Sequence, residues 1–527
     1  MLWAAKKNLF LAFLGALFVL LVQPGSGKAL AASPNVVVIQ VDDMSSRLLF
    51  SRVKDGKRWV PALPNIRQYF IEGGTRFRRY YASNPLCAPS RATLLTGLAA
   101  HNTGVRTHGA DSGFRLWRSS KNYRDNLPVW LQKQGYRTAH IGKYLNSYGA
   151  EFPAEVPPGW NRWFVPTKAS NAIYYGGAYN VDGRVVDPIG SWQQLDAANC
   201  KIALPSAGSC RHSTDLYRAY AIDEIGRATR SGRPFYLQVD FNAPHDDGRR
   251  DPGPTPPTRL AGLDPEPITD LDEAEAVPSA PTFIRGLQPL PDALREEIRE
   301  EWKNEVRSMR GVDQAFGDMV SKIRAAGQLG NTFFLFTSDN GFFHGENRIS
   351  YGKYLPHEPS TRLPLLIRGP GIPAGTSSGA LASNLDLAPT ILEMAGASSG
   401  RSMDGSSLLA LARQPGRISR RAVLLEGFNG RGDDNTEVIS NAGKSGRANS
   451  APVLNYWGFV AGRWKYVRYA YGGEELYDVV NDPGETSNLA DWEGLRVLDW
   501  ARELAEGMRY CQGAACRPDA SFDLEGV

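Results

Sequence analysis

Short apolar runs bounded by turn residues recur along the chain. Those at 34–41, 136–143, 234–241 and 332–337 are rich in β-branched and aromatic residues. Each is too short for a buried helix and predicts a buried strand. A further strand is predicted over 77–82, and another apolar run stands at 363–367. Helical spacing fills the intervals: 64–73, ending at Gly73-Gly74; 91–98; 127–135, with Gly135 as its stop; 214–230, stopped at Gly232; and 386–395. Pro291 opens a longer helical stretch to Ala326, with Glu early and Arg or Lys late, as the helix dipole favours. Strands alternating with helices predict an α/β fold, a large, mostly parallel sheet sandwiched by helices. The stretch 148–213 has weak periodicity and predicts loops with a small accessory sheet. The Pro- and Asp-rich stretch 246–291 predicts a long surface insertion.

The pattern changes after Ala395. Residues 396–415 read as a linker, and strands are predicted at 423–428, 456–461 and 464–469, with Gly462-Arg463 as a hairpin turn. A helix over about 491–509 closes the chain. The expected organisation is a catalytic domain at 34–395 and a smaller C-terminal antiparallel-sheet subdomain at 396–527. At 527 residues the chain exceeds one small core, which agrees with this division.

The first 31 residues stand apart. Lys6 and Lys7 precede an apolar run from Leu9 to Val22, and Ala29-Leu30-Ala31 follows as a small-residue cleavage site. This is the layout of a secretory signal peptide, with an uncleaved anchor as the alternative. The remainder is expected to lie outside the cytoplasm with no stable membrane span. A net charge of +5 without a dense basic run gives no reason to expect nucleic acid as a partner. In an oxidising compartment, Cys200 with Cys210 and Cys511 with Cys516 can each close a short loop, which leaves Cys87 unpaired.

Candidate chemistry gathers at strand ends. Asp42-Asp43 end the first strand, Asp339-Asn340 follow the strand at 332–337, Lys143 ends the run at 136–143, and His245 follows the run at 234–241. Open α/β sheets bind ligands at such ends. Neighbouring strand side chains point to opposite faces, so Asp42 and Asp43 reach one ion only where strand gives way to loop. Asp42, Asp43, Asp339 and Asn340 are hard oxygen donors and suit Ca²⁺, or less well Mg²⁺, far better than Zn²⁺. With Arg91, Lys143, His245 and Lys353 they make a pocket for a tetrahedral anion. In Cys87-Ala88-Pro89-Ser90-Arg91, Pro89 fixes φ, Ser90 or Thr93 can cap a helix start, and Arg91 offers a fork for oxyanions. Cys87 is either special chemistry at an anion site or a buried structural thiol.

The chain resembles the type I sulfatases. The C-x-P-S-R signature stands at 87–91 and is followed by T-G at 96–97. Further marks follow in order: V-D-D at 41–43, G-K at 142–143, A-P-H at 243–245, T-S-D-N-G at 337–341, P-L-L-I-R-G-P-G at 364–371, and E-L-Y-D…D-P-x-E-x-x-N-L at 475–489. The resemblance spans nearly all of the mature chain. It implies an alkaline-phosphatase-like fold and a hydrolase of sulfate monoesters. It further implies that a formylglycine-generating enzyme oxidises Cys87 to Cα-formylglycine, whose gem-diol attacks sulfur and later expels sulfate. Asp42, Asp43, Asp339 and Asn340 then match calcium ligands, with the group derived from Cys87 completing the shell. Arg91 would hold the modified residue, Lys143 and Lys353 would grip sulfate oxygens, and His245 would protonate the leaving alcohol.

One position narrows the resemblance. Leu145 stands where many members have histidine, whereas the N-acetylglucosamine-6-sulfatase branch reads G-K-Y-L-N, as 142–146 do here. Pro157-Pro158-Gly159-Trp160 and Tyr174-Tyr175 also resemble that branch. Asn146 then takes the work of the histidine, and His344 is a second candidate for substrate contact. The implied substrate is a sulfated carbohydrate, with 6-O-sulfated N-acetylglucosamine of glycosaminoglycan-type sugars favoured over an aryl sulfate ester. The alternatives are an arylsulfatase, a phosphonate monoester or phosphodiester hydrolase with the same signature, and a non-catalytic carbohydrate-binding homologue.

Overall fold

The computed structural model describes residues 33–520 apart from 109–111, 168–173, 176, 187–202, 205–206, 209–211, 248–252, 270–283, 285–286, 429–454 and 493. The expected Cys200–Cys210 pair lies outside the described residues. Ten strands form the main sheet: β1 (Asn35–Asp42), β2 (Thr75–Tyr81), β3 (Arg137–Gly142), β4 (Arg162–Pro166), β5 (Tyr179–Val181), β6 (Arg184–Val186), β7 (Phe235–Pro244), β8 (Thr332–Ser338), β9 (Arg362–Arg368) and β10 (Thr376–Ser383). Their order is β10-β2-β9-β8-β1-β7-β3-β4-β5-β6, and all but β9 and β5 run in one direction.

β1 is central and feeds both faces, as the alternation of a doubly covered strand requires. Val37, Ile39 and Val41 pack with helices α3 (Ser213–Arg230) and α4 (Asp292–Ala325). Val36 and Val38 pack with α1 (Cys87–Thr96), α2 (Leu127–Lys133) and α5 (Leu387–Ala395). Each such fully buried aliphatic side chain contributes about 1.5–3 kcal/mol.

Parallel registry then sets the functional edge. Val41 pairs with Ser338, Asp42 with Pro244, and Asp240 with Gly142. The residues that follow these positions therefore emerge side by side. No helix among the described residues is long and apolar enough to cross a membrane.

The structure departs from the sequence expectation in three places. Strands β4, β5 and β6 extend the main sheet, where a separate accessory sheet was expected; among the described residues of 148–213, only the short strand pair 203–204 and 207–208 lies outside it. Two of them have three residues each, too few to show a period of two. Strand β10 reads Thr-Ser-Ser-Gly-Ala-Leu-Ala-Ser, whose small polar residues carry little strand preference, yet it pairs along β2. The C-terminal sheet has a fourth strand: β11 (Val423–Gly427), β12 (Tyr456–Ala461), β13 (Trp464–Tyr469) and β14 (Glu474–Asp478) form an antiparallel meander. Helix α6 (Arg496–Met508) covers one of its faces through Val497, Ala501 and Met508. The other face shares a cluster with Tyr81, Leu86 and Tyr354, through Val423, Leu425, Tyr456 and Tyr477.

The Cys511–Cys516 disulfide forms as expected. Beside it, His101 Nδ1 lies 2.5 Å from Glu426 Oε2, and its Nε2 is 2.8 Å from the Cys511 carbonyl. Burial disfavours the imidazolium, but the hydrogen bond and charge of Glu426 outweigh it and raise the pKa above the ordinary 6.5. A raised folded-state pKa gives stability that is complete below about pH 6.5 and is lost as pH climbs through the folded value. Melting temperatures from pH 6 to 9 are expected to fall more steeply for wild type than for His101→Gln. Parallel profiles would show that this pair carries no proton linkage.

Candidate active site

Asp42 closes β1, and Asp43 follows with a φ of +65°. That left-handed turn lets both carboxylates face one pocket, as the loop requirement demanded. Cys87 opens α1, four residues earlier than the helix start expected at Arg91. Leu86 is its N-cap and no side chain caps the helix. The first-turn N–H groups and the positive helix end therefore lie at Cys87. Ser90, expected as a possible cap, instead accepts a hydrogen bond from Asn384 Nδ2 at 3.0 Å and pins the helix.

The Cys87 thiol donates to Asp42 Oδ1 at 3.3 Å and lies 3.9 Å from Asp43 Oδ1. Lys353 Nζ donates to Cys87 Sγ at 3.1 Å and to Asp43 Oδ1 at 2.5 Å, while Lys143 Nζ pairs with Asp42 Oδ2. All of these groups are buried. Burial, then the charge of Asp42, pushes the Cys87 thiol well above its usual value, against the pull of Lys143 and Lys353. A thiol held protonated is a weak nucleophile. Burial would also raise Asp42, but Lys143, His245 and Arg91 outweigh it and hold the carboxyl below its ordinary range. For Asp43, burial is outweighed by Lys353 and His245 in the same way.

Asp339 and Asn340 leave β8 toward the same point. Asp339 Oδ1 accepts the backbone N–H of Asn340 at 2.8 Å and of Asp43 at 3.3 Å. Asn340 Nδ2 donates to Asp43 Oδ1 at 2.6 Å, which leaves its buried Oδ1 without a hydrogen-bond partner. An orphaned amide oxygen beside three carboxylates is a donor set for a hard cation. The ligand atoms of Asp42, Asp43, Cys87 and His245 lie within 4.8 Å of one another. The residues present thus fit a calcium ion.

Arg91 is clamped on every side. Its Nε donates to Asp339 Oδ2 at 2.9 Å, and Nη1 donates to Asp240 Oδ2 and to the Lys143 carbonyl, each at 3.0 Å. Asp240 is a site residue that the sequence reading missed. Burial raises its pKa to about 7 against the pull of Arg91. A chain of buried hydrogen bonds supports it along alternate positions of β7: Tyr236 to Gln238 at 2.8 Å, then Gln238 to Asp240 at 2.9 Å. That period-two row of polar groups inside an apolar strand was the available signal. Gly142, with a φ of +102°, turns the chain into Lys143; a Cβ there would sit 1.9 Å from the Asp240 carbonyl oxygen.

His245 Nδ1 is 2.6 Å from the Asp246 carbonyl, so that nitrogen carries a proton and Nε2 faces Asp43 Oδ2 at 3.5 Å. The Tyr174 hydroxyl donates to the His245 carbonyl at 2.8 Å, which gives one of the paired tyrosines a place beside the site. Asn146 is buried, and its Oδ1 has no hydrogen-bond partner. His344 is turned elsewhere. Its Nε2 meets both oxygens of Glu305 at 2.9 and 3.0 Å, with the Trp302 ring edge-on, and no hydrogen bond joins it to the Cys87 cluster.

Comparison with known proteins places this geometry. Residues 34–397 match the family described as Sulfatase. The chain is similar to an arylsulfatase of Volvox carteri, 28% identical over 515 residues that cover 92% of this chain and 75% of that one. It is also similar to the N-acetylglucosamine-6-sulfatase of Homo sapiens, 25% identical over 93% of this chain and 87% of that one. Among solved structures, one described as a complex with its substrate D-glucosamine-2-N,6-O-disulfate superposes with a TM-score of 0.68. It is 21% identical and covers 91% of this chain and 98% of its own. The fold is the alkaline-phosphatase-like one of these neighbours. The chain belongs to the sulfatase family and is a sulfuric ester hydrolase.

Proposed function

We propose that this enzyme hydrolyses 6-O-sulfate esters of N-acetylglucosamine in glycosaminoglycan-type sugars, outside the cytoplasm, after removal of residues 1–31 and oxidation of Cys87 to formylglycine. The observation that carries the reading is the placement of Cys87: wholly buried, at an uncapped helix start, 3.3 Å from Asp42 and 3.1 Å from Lys353. Such a thiol is a poor thiolate and a well-held precursor of something else. The hydrated aldehyde supplies the oxygen nucleophile that the thiol cannot, and a formylglycine-generating enzyme is the required partner. Calcium, when held by Asp42, Asp43, Asp339 and Asn340, supplies positive charge against the sulfate oxygens.

The chain's own groups account for the remainder. Lys143 and Lys353, whose ammonium groups pair with Asp42 and Asp43, would bind the sulfate oxygens. Arg91, fixed by Asp240 and Asp339, orients the residue formed from Cys87. His245, once Nε2 is protonated as well as Nδ1, would deliver the Nε2 proton to the departing alcohol oxygen. Asn146 offers its orphaned amide oxygen to the sugar, whereas His344, held against Glu305, takes no direct part. Residues 34–395 form the catalytic domain and 396–527 its C-terminal subdomain. The G-K-Y-L-N stretch at 142–146 and the similarity to the N-acetylglucosamine-6-sulfatase of Homo sapiens support this substrate.

Mass spectrometry of the tryptic peptide containing Cys87, taken from natively produced active enzyme, is expected to show the aldehyde. Unmodified cysteine in active enzyme would refute the mechanism. In a panel of sulfated sugars, aryl sulfates and phosphodiesters, the 6-O-sulfated glucosamine derivatives are expected to give the highest kcat/KM. A strong phosphodiester preference would replace the substrate reading with its phosphohydrolase alternative.

A further inference from the structure

We infer that the C-terminal sheet positions Lys353 for the reaction, with Tyr456 and Lys465 as positioning residues that touch no substrate. The inference rests on the reading of Lys353 as a grip on sulfate. Tyr354, immediately after Lys353, is wholly buried with a φ of +86°. A tyrosine holds that conformation only where its surroundings impose it. The surroundings here come from the C-terminal subdomain. The hydroxyl of Tyr456 on β12 donates to the Tyr354 carbonyl at 2.6 Å, and the two rings meet edge to face at 5.8 Å.

The next residues are tied in the same way. Lys465 on β13 is 1% exposed, and its ammonium donates to the Pro356 carbonyl at 3.1 Å. The same ammonium pairs with Glu358 at 2.8 Å and with Glu485 at 2.7 Å. The backbone N–H of Glu358 donates to Glu485 Oε2 at 2.6 Å, and Glu475 Oε2 lies 3.3 Å from His357 Nε2. Residues 354, 356, 357 and 358 are thus each bound to the C-terminal subdomain within five positions of Lys353. Glu475 and Glu485 belong to the E-L-Y-D and D-P-x-E stretches, which the active site itself leaves without a task.

A buried ionic network is weak evidence of stability, because apolar substitutes of like volume often do as well. Its consequence lies in selecting one backbone path, and the path selected here places Lys353 Nζ at 3.1 Å from Cys87 Sγ. Tyr456 and Lys465 hold the carbonyls of Tyr354 and Pro356, the backbone groups that directly follow the strained φ.

A double-mutant cycle on the natively produced enzyme tests this. Tyr456→Phe keeps the ring contact and removes the hydroxyl. It is expected to lower kcat/KM on a sulfate monoester about tenfold, mainly in kcat, with the melting temperature near wild type. In a Lys353→Ala background the same substitution is expected to have no further effect. The neutral triple variant Lys465→Met, Glu358→Gln, Glu485→Gln should behave likewise; if it fails to fold, the Tyr456 cycle decides alone. Wild-type kcat/KM in Tyr456→Phe, or a loss that adds in full to that of Lys353→Ala, would overturn the positioning role. An unchanged kcat/KM in Lys353→Ala alone would instead overturn the reading of Lys353 on which it rests.

Discussion

Replacing Cys87 by alanine is expected to abolish sulfate ester turnover, by about a thousandfold or more, while the protein stays folded. The two halves of this expectation have separate causes. In the proposed mechanism the side chain removed is the source of the nucleophile, and no other residue at the site stands in for it: Lys143 and Lys353 are paired to carboxylates, and His245 Nε2 faces Asp43. The fold loses little. One sulfur leaves a wholly buried position, a change of about 1–2 kcal/mol at most, and the costly burial of a polar thiol beside Asp42 disappears with it. Helix α1 remains pinned through Ser90 and Asn384. Steady-state kinetics with a chromogenic aryl sulfate, alongside near-UV circular dichroism and thermal melting, separates the two. Activity above about a tenth of wild type would remove Cys87 from the chemistry. A variant that failed to fold would return it to the role of structural thiol.

The strand-end residues of the candidate site were legible in the sequence because each lies where an apolar run stops. Asp42-Asp43, Lys143, His245 and Asp339-Asn340 terminate four parallel strands, and parallel registry brings such termini to one edge. What joins them was not legible. Asp240 sits inside a run that reads as buried strand, and only its contact with Arg91 reveals why a carboxylate is tolerated there. Glu305 belongs to a 34-residue helix so rich in charge that it reads as a solvated face, yet Glu301 and Glu305 point inward. Which of several equivalent helical charges is buried depends on the layer beneath, which no local period encodes. The same limit explains His344, whose place after Asn340 suggested the pocket and whose ring is turned to Glu305 instead. The left-handed turn at Asp43 was required by geometry, but nothing in the residue type demanded it.

Arg91 carries the largest expected effect on stability. Its guanidinium lies against Asp339, Asp240 and Asp42, at 2.8, 3.0 and 3.8 Å, and all four side chains are almost wholly buried. Arg91→Leu keeps much of the volume and leaves three carboxylates facing one another without that cation. Removing one partner from such a buried set costs about 3–5 kcal/mol, because the remaining charge is uncompensated. The deficit is also expected to depend on pH. Asp240 already titrates near 7 through burial, with Arg91 pulling against that rise, so the leucine variant pushes it higher. A carboxyl raised above its unfolded value of about 3.9 favours the folded state at low pH and withdraws that support as pH rises through the folded value. Arg91→Leu should therefore lie closer to wild type at pH 5 than at pH 8 in urea denaturation. Arg91→Lys, which restores charge without the fork, should recover part of the stability and little of the activity. A deficit below about 1 kcal/mol at pH 8 would mean that the carboxylates find other compensation, with Lys143, already paired to Asp42, the first place to look for it.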